Sequence, residues 1–290
     1  MPAVDEDLIT RFKAMLDAPA PQGRQKEQVV QDFLEANTVL VPMTNLDHHG
    51  LHMRSIVSKF PLGTALTTDY AYLTKNSGRY LVTFVELEKP EKAIFTSDLD
   101  RPTFTAEFNG ALAQIKQWQH YVDEHRAAVR ESLAKLMRPM SGNKLMFAYQ
   151  LIIGRSPTKN RSDAHKAMFV MEAERAGIEI LTYDQLIDRY RTGPRCEKSI
   201  MVASRERFAF KHLAADVGDL LSYHGPDALK FSKEQRAELV SRGHEMDAWD
   251  NGETLSIEGK RVLRVDEEVA FFRDRVMDQI RGNEGAGAPE

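Results

Sequence analysis

With 290 residues, 42% of them hydrophobic and 28% charged, the chain has the balance of a folded globular protein, not of a disordered one. A formal net charge of −4 argues against a protein that coats DNA over its whole surface. The single cysteine, Cys196, excludes an intrachain disulfide and leaves no cysteine cluster for structural zinc. The longest apolar runs, such as Leu145 to Ile153, fall well short of the roughly 20 residues that cross a bilayer. The acidic start, Met1 to Asp7, lacks a signal peptide's basic and apolar segments, so a cytoplasmic protein without membrane association is expected.

In chain order, Leu8, Ile9, Phe12 and Leu16 are spaced for one face of a short helix over 5–17. Ala18-Pro19-Ala20-Pro21-Gln22-Gly23 breaks it, and a second helix is expected over 24–36, with Val29, Val30, Phe33 and Leu34 turned inward. Residues 50–61 and 64–74 read as extended. The second run reaches a Lys75-Asn76-Ser77-Gly78 turn and returns as Arg79 to Glu88, a β-hairpin signal closed by Pro90. A long helix is expected over 104–136. The apolar stretch from Lys144 to Ile153 suits a strand buried on both faces.

Asp163 to Ala176 reads as a helix closed by Gly177, followed by a strand at 178–181 and a helix at 183–190. Helices alternating with strands in this way predict an α/β fold, a mixed sheet flanked by helices. From Arg195 onward the pattern changes. Residues 200–245 read as mostly helical, Trp249 to Glu253 as a turn before an extended piece at 254–257, and Asp266 to Ile280 as a terminal helix. Gly282 to Glu290 is expected to be a disordered tail.

Chemistry concentrates on the hairpin. Period-two alternation puts Glu86 and Glu88 on one strand face, and Asp69 on the matching face of the preceding strand. A four-residue turn, whether at 75–78 or 76–79, leaves Asp69 opposite or diagonal to Glu86. Carboxylates massed on one side repel unless a positive charge neutralises them, and a hard divalent cation does so well. The plainer reading is a solvent-facing polar edge, which such hairpins often have.

The order Asp69, then Glu86-Leu87-Glu88-Lys89-Pro90, then a helix containing Gln114 resembles a PD-(D/E)xK nuclease. More narrowly, the chain resembles the Shedu antiphage family over roughly residues 24–190. The stretches that carry this are Phe33 to Asn37 after Glu27, Ser58 to Gly63, Val85 to Pro90, Ala111 to Ile115, Leu151 to Arg155 and Ile180 to Leu186. The resemblance implies a restriction-endonuclease-like fold and DNA cleavage dependent on Mg2+ or Mn2+. It makes Asp69 and Glu86 metal ligands, Glu27 an outer carboxylate that orients water or metal, and Gln114 a support from the following helix. Gln117 competes for that last place, although Glu107, Gln114 and Tyr121 share one helical stripe.

One departure from the pattern matters. The superfamily usually has lysine two residues after the glutamate, to hold the attacking water or stabilise charge. Here that residue is Glu88, and Lys89 follows it, on the opposite face of a regular strand. Either a bulge turns Lys89 inward, or Glu88 acts as general base, or the site is catalytically degenerate and the chain is a DNA-binding or assembly subunit. The resulting division is an N-terminal helix and linker (1–23), a nuclease-like domain (24–194), a mainly helical C-terminal region (195–281) and a tail (282–290).

DNA is the expected partner, and a homo-oligomer, dimer or tetramer, suits an enzyme that cuts two strands. Arg155, Lys144, Lys159 and Arg54 are candidate DNA contacts within clusters that are otherwise read as solvated surface. His48, His49 and His52 lack the spacing of a metal site, though His52 could reach a phosphate. Trp118 and Tyr121 are read as core aromatics. No Gly-x-x-x-x-Gly-Lys loop or Gly-x-Ser-x-Gly elbow is present, so neither a nucleotide cofactor nor a serine hydrolase is expected.

Overall fold

A computed structural model describes residues 3–41, 43–47, 50–98, 101–204 and 206–262. Leu8, Ile9, Phe12 and Leu16 form the buried stripe of α1 (Glu6–Asp17), whose first turn is capped by the Asp5 carboxylate. After the Pro-rich break comes α2 (Lys26–Ala36), then the first long strand, β1 (Leu51–Ser58). Two short strands, β2 (Pro61–Leu62) and β3 (Leu66–Thr67), form a small separate ladder. The expected hairpin follows as β4 (Tyr70–Lys75) and β5 (Arg79–Leu87). Asn76 closes its turn by accepting backbone N–H groups of Gly78 and Arg79.

The long helix is divided into α3 (Ala106–Glu124) and α4 (Arg126–Leu133). No proline or glycine marks the break. It falls at His125, whose backbone leaves the helical region and whose ring stacks on Tyr121. Next come β6 (Lys144–Ile152), a one-turn α5 (Ser156–Lys159), α6 (Asp163–Ala176), β7 (Glu179–Leu181) and α7 (Tyr183–Thr192). Gly177 ends α6 in the left-handed conformation, as its place in the sequence suggests.

The C-terminal region departs from expectation. Residues 200–245 do not begin as helix: β8 (Ser199–Ser204) and β9 (Arg207–His212) pair antiparallel, and β8 joins β1 in parallel. The physical reason lies in the alternation of Phe208 and Phe210 with Arg207, Ala209 and Lys211. That is a period of two, and it sends both aromatic rings into the core. Helices α8 (Gly218–Tyr223), α9 (Lys233–Ser241) and α10 (Met246–Asp250) then pack around a two-residue β10 (Leu229–Lys230). The expected helix at 266–280 and the tail at 282–290 lie outside the described residues.

The strands form one mixed eight-stranded sheet in the order β10-β9-β8-β1-β4-β5-β6-β7. It has an apolar core on each face, which makes three layers. On one face α1, α2 and α7 pack on Tyr70, Tyr72, Val85 and Leu87. On the other, α3, α4, α6 and the C-terminal helices cover Ala71, Leu73, Val82 and Phe84. Burying a side chain such as Phe84, Phe108 or Ile115 contributes about 1.5–3 kcal/mol each. Asp69 and Glu86 belong by parity to the α3 face, at the carboxyl end of β5 and β6, where open α/β sheets commonly bind ligands.

Candidate active site

The pairing of Tyr70 with Val85 and of Lys75 with Tyr80 fixes the turn as residues 76–79 and sets Asp69 directly across from Glu86. Asp69 is tightly held. Its N–H donates to the Val85 carbonyl (3.0 Å), and its Oδ2 accepts from the Leu87 N–H (2.7 Å). Its other carboxylate oxygen, Oδ1, accepts from the Lys59 ammonium. Glu86 accepts a 2.6 Å hydrogen bond from the Gln114 amide on α3. Gln114 is thus the glutamine that meets the site, while Gln117 faces the neighbouring groove.

Both carboxylates are largely buried. Burial, reinforced by the charges of Asp69 and Glu88, pushes the Glu86 carboxyl up to about 9; Lys59 and the Gln114 bond oppose the rise only in part. Such an excess of negative charge can be relieved by a proton or by a cation.

Glu88 follows the end of β5. Its N–H donates to the Ile152 carbonyl (2.8 Å), and its own carbonyl accepts from the buried Tyr183 hydroxyl (2.6 Å). Its carboxylate is ion-paired with Lys92. Glu27, on α2, approaches from the other side of the sheet. Burial raises its pKa, reinforced by the charges of Glu88 and Asp69, while Lys89 and Lys92 oppose the rise. Lys89 thus lies near enough for its charge to act on Glu27.

Among the described residues, no three His, Cys, Asp or Glu side chains converge into a ready-made metal cage. The donor set nevertheless fits Mg2+ or Mn2+, which commonly take one or two carboxylates and complete their shell with water and substrate phosphate. Beside Gln114, an open groove of about 440 Å³ runs between α3 and the β2–β3 ladder, lined in part by Thr67, Gly110, Ala113 and Gln117. Gly63 shapes this corner: a Cβ there would lie 2.5 Å from the Tyr121 hydroxyl, and its φ is +68°.

The four basic candidates do not gather at this site. Lys144 pairs with Arg79 at the opposite end of β5, seven residues and about 23 Å of strand from Glu86. Arg155 is engaged by Asp184 at 3.0–3.2 Å and by Asp17, tying α1 to the start of α7. Lys159 lies 4.6 Å from the centre of the Phe169 ring and is partly desolvated, which lowers its pKa. Arg54 pairs with Asp216. His52 is buried against Tyr80 and the Leu136 carbonyl, which removes it from any surface phosphate, and His48 and His49 lie outside the described residues. Trp118 is fully buried, as a core aromatic should be.

Three neighbours of the site were not singled out by sequence pattern: Lys59, Lys92 and Tyr183. Lys59 lies within the Ser58 to Gly63 stretch and Tyr183 within Ile180 to Leu186; the turn of the first brings Lys59 back over Asp69. A further polar group sits alongside. Glu35 accepts from Ser58 Oγ (2.6 Å), Gln31 (3.0 Å) and Lys211 (3.1 Å), joining α2, β1 and β9.

Residues 24–187 match a family model described as Shedu protein SduA, C-terminal. No match is found among curated proteins. No helix among the described residues is long and apolar enough to cross a membrane.

Proposed function

The chain belongs to the Shedu family, which gives it a role in antiphage defence, and from that premise we propose that it is a metal-dependent DNA endonuclease or nickase of the PD-(D/E)xK type. The observation that carries the reading is the Asp69–Glu86 pair. Two buried carboxylates face each other at the carboxyl end of the sheet, with Glu86 unable to ionise readily unless a cation joins it. Asp69 and Glu86 would hold Mg2+ or Mn2+. Bound there, the ion supplies Lewis-acid stabilisation of the phosphate and lowers the pKa of water.

The chain's own residues do the positioning. The Leu87 N–H fixes the orientation of the Asp69 carboxylate, and Gln114 fixes that of Glu86. Glu27 stands at the rim as an outer carboxylate that orients water, with Lys89 favouring its ionised form against burial. Glu88, paired with Lys92, closes the acidic wall and is ill placed to serve as an unencumbered base. DNA would enter along the open groove beside Gln114. Paired copies would suit cleavage of both strands.

The second reading is a nuclease fold that has lost its chemistry and acts as a DNA-binding or assembly subunit. The Glu88–Lys92 pair, where a catalytic lysine is usual, is the observation that favours it. Supercoiled and linear DNA incubated with Mg2+, with Mn2+ and with chelator separates the two. Under the nuclease reading, the unaltered chain nicks or cuts only with metal, and Asp69→Ala and Glu86→Ala do neither while remaining folded by circular dichroism. Cleavage that survives both substitutions would end this mechanism.

A further inference from the structure

We propose that Lys59 takes the part of the lysine missing at position 88, bringing a positive charge from β1 to the Asp69–Glu86 site and to the phosphate held there. The proposal rests on the nuclease reading above and adds to it the residue that stabilises charge during cleavage.

Three observations converge on Lys59. Its ammonium contacts Asp69 Oδ1, and the same charge acts favourably on the Glu86 carboxylate behind it. Its side chain is 51% exposed against 12% for Asp69, so the ammonium stands at the mouth of the site, between the buried carboxylates and solvent. Its backbone is left-handed, with φ +51°, a conformation that is uncommon outside glycine and persists where surrounding structure enforces it. Here the enforcement is visible. The Lys59 N–H donates to the Asp69 carbonyl at 2.9 Å, and Ser58, the residue before it, is held by Glu35 and Lys211.

The other lysines nearby are committed elsewhere. Lys92 is paired with Glu88, Lys26 is buried on the carbonyls of Met15 and Ala18, and Lys89 acts on Glu27. β1 lies beside β4 with Ser58 opposite Tyr70, so the residue after Ser58 is placed to reach across Asp69. An ammonium from the residue after β1 thus reaches the pair from the β1 side, across Asp69, while Glu88 and Lys92 hold the other side. The bond that forms is from water oxygen to phosphorus, with the water's proton passing to solvent. The bond that breaks is from phosphorus to the leaving ester oxygen, which keeps the electron pair and takes a proton from solvent. The lysine balances the negative charge that builds up on the phosphate oxygens.

Lys59→Asn tests this, because asparagine tolerates the left-handed backbone and carries no charge. Lys59→Arg keeps the charge. The full chain is compared in cleavage with Mg2+, in Mn2+ binding by calorimetry on metal-free protein, and in thermal melting. Cleavage by Lys59→Asn is expected to fall by at least about 100-fold, with Mn2+ affinity and melting close to the unaltered chain and partial recovery in Lys59→Arg. Unchanged cleavage by Lys59→Asn overturns this proposal alone. Loss of Mn2+ binding together with cleavage, as in Asp69→Ala, also overturns it, since Lys59 would then only shape a metal ligand. An unaltered chain that cuts no DNA with either metal overturns this proposal and the nuclease reading together.

Discussion

The two ends of the β4–β5 hairpin use charge in opposite ways. At the turn end, Asp47 is met by Arg79 through two 3.0 Å hydrogen bonds and by Asn76 at 3.2 Å, so the carboxylate is matched where it stands. At the other end, Asp69 and Glu88 each have a lysine, Lys59 and Lys92, while Glu86 has only the Gln114 amide and is held far from its ordinary ionisation. The same two strands frame both groups. A matched charge fixes a turn, whereas the unmatched Glu86 is where the proposed metal would supply the missing positive charge.

The largest expected effect lies at the acidic end. Glu86→Gln should reduce cleavage by at least about 100-fold, yet its melting temperature at pH 7 should not fall, because an amide fits beside Asp69 without adding charge. A large loss of stability would show that Glu86 serves the fold. Gln114→Leu comes next: removing the Glu86 hydrogen bond should cost roughly 10–100-fold in metal affinity or cleavage. Normal activity would move the support to Gln117.

At the turn end the effects should appear in stability and not in cleavage. Burial holds the His52 imidazole at about 3, below its ordinary 6.5, so between these values the unfolded chain binds the proton and the folded chain does not. This contribution is full above about pH 6.5 and is lost as pH falls toward 3. His52→Gln should therefore show a smaller drop in urea midpoint between pH 7 and pH 5. His224, lowered to about 4 by burial, leaves a residual slope of the same sign. The smallest effect is expected from Asp47→Asn, which should leave cleavage within about twofold and shift melting only slightly, as an ion pair with a half-exposed arginine should.

The acidic pair was readable from sequence because two short-range rules agree. Strand alternation set the faces, and a four-residue turn set the register of Asp69 against Glu86. Gln114 was readable in part, since helical spacing put it on one stripe with Glu107 but could not say which glutamine met Glu86. Lys59 was not readable: its contact with Asp69 depends on a left-handed residue and on a ten-residue excursion through β2 and β3, which no periodicity reports. Arg155 shows the converse. A basic residue just after a buried strand looks available for phosphate, yet Asp17, 138 positions earlier, engages it. The strands β8 and β9 did carry a local signal in Phe208 and Phe210. The charged residues around them suggested helix, and pairing with β1 decided the matter.

The sheet's margins bear on how copies of the protein can meet. Among the described residues, its outermost strands are β7, with three residues, and β10, with two. Strands so short leave open ladder behind them: β7 pairs only with Gln150 to Ile152, so Lys144 to Tyr149 of β6 have no strand partner on that side among the described residues. The Arg126 guanidinium, donating to the Leu145 carbonyl, sets a charge on that stretch. Charge along an uncovered margin is one of the ways in which sheets resist edge-to-edge growth.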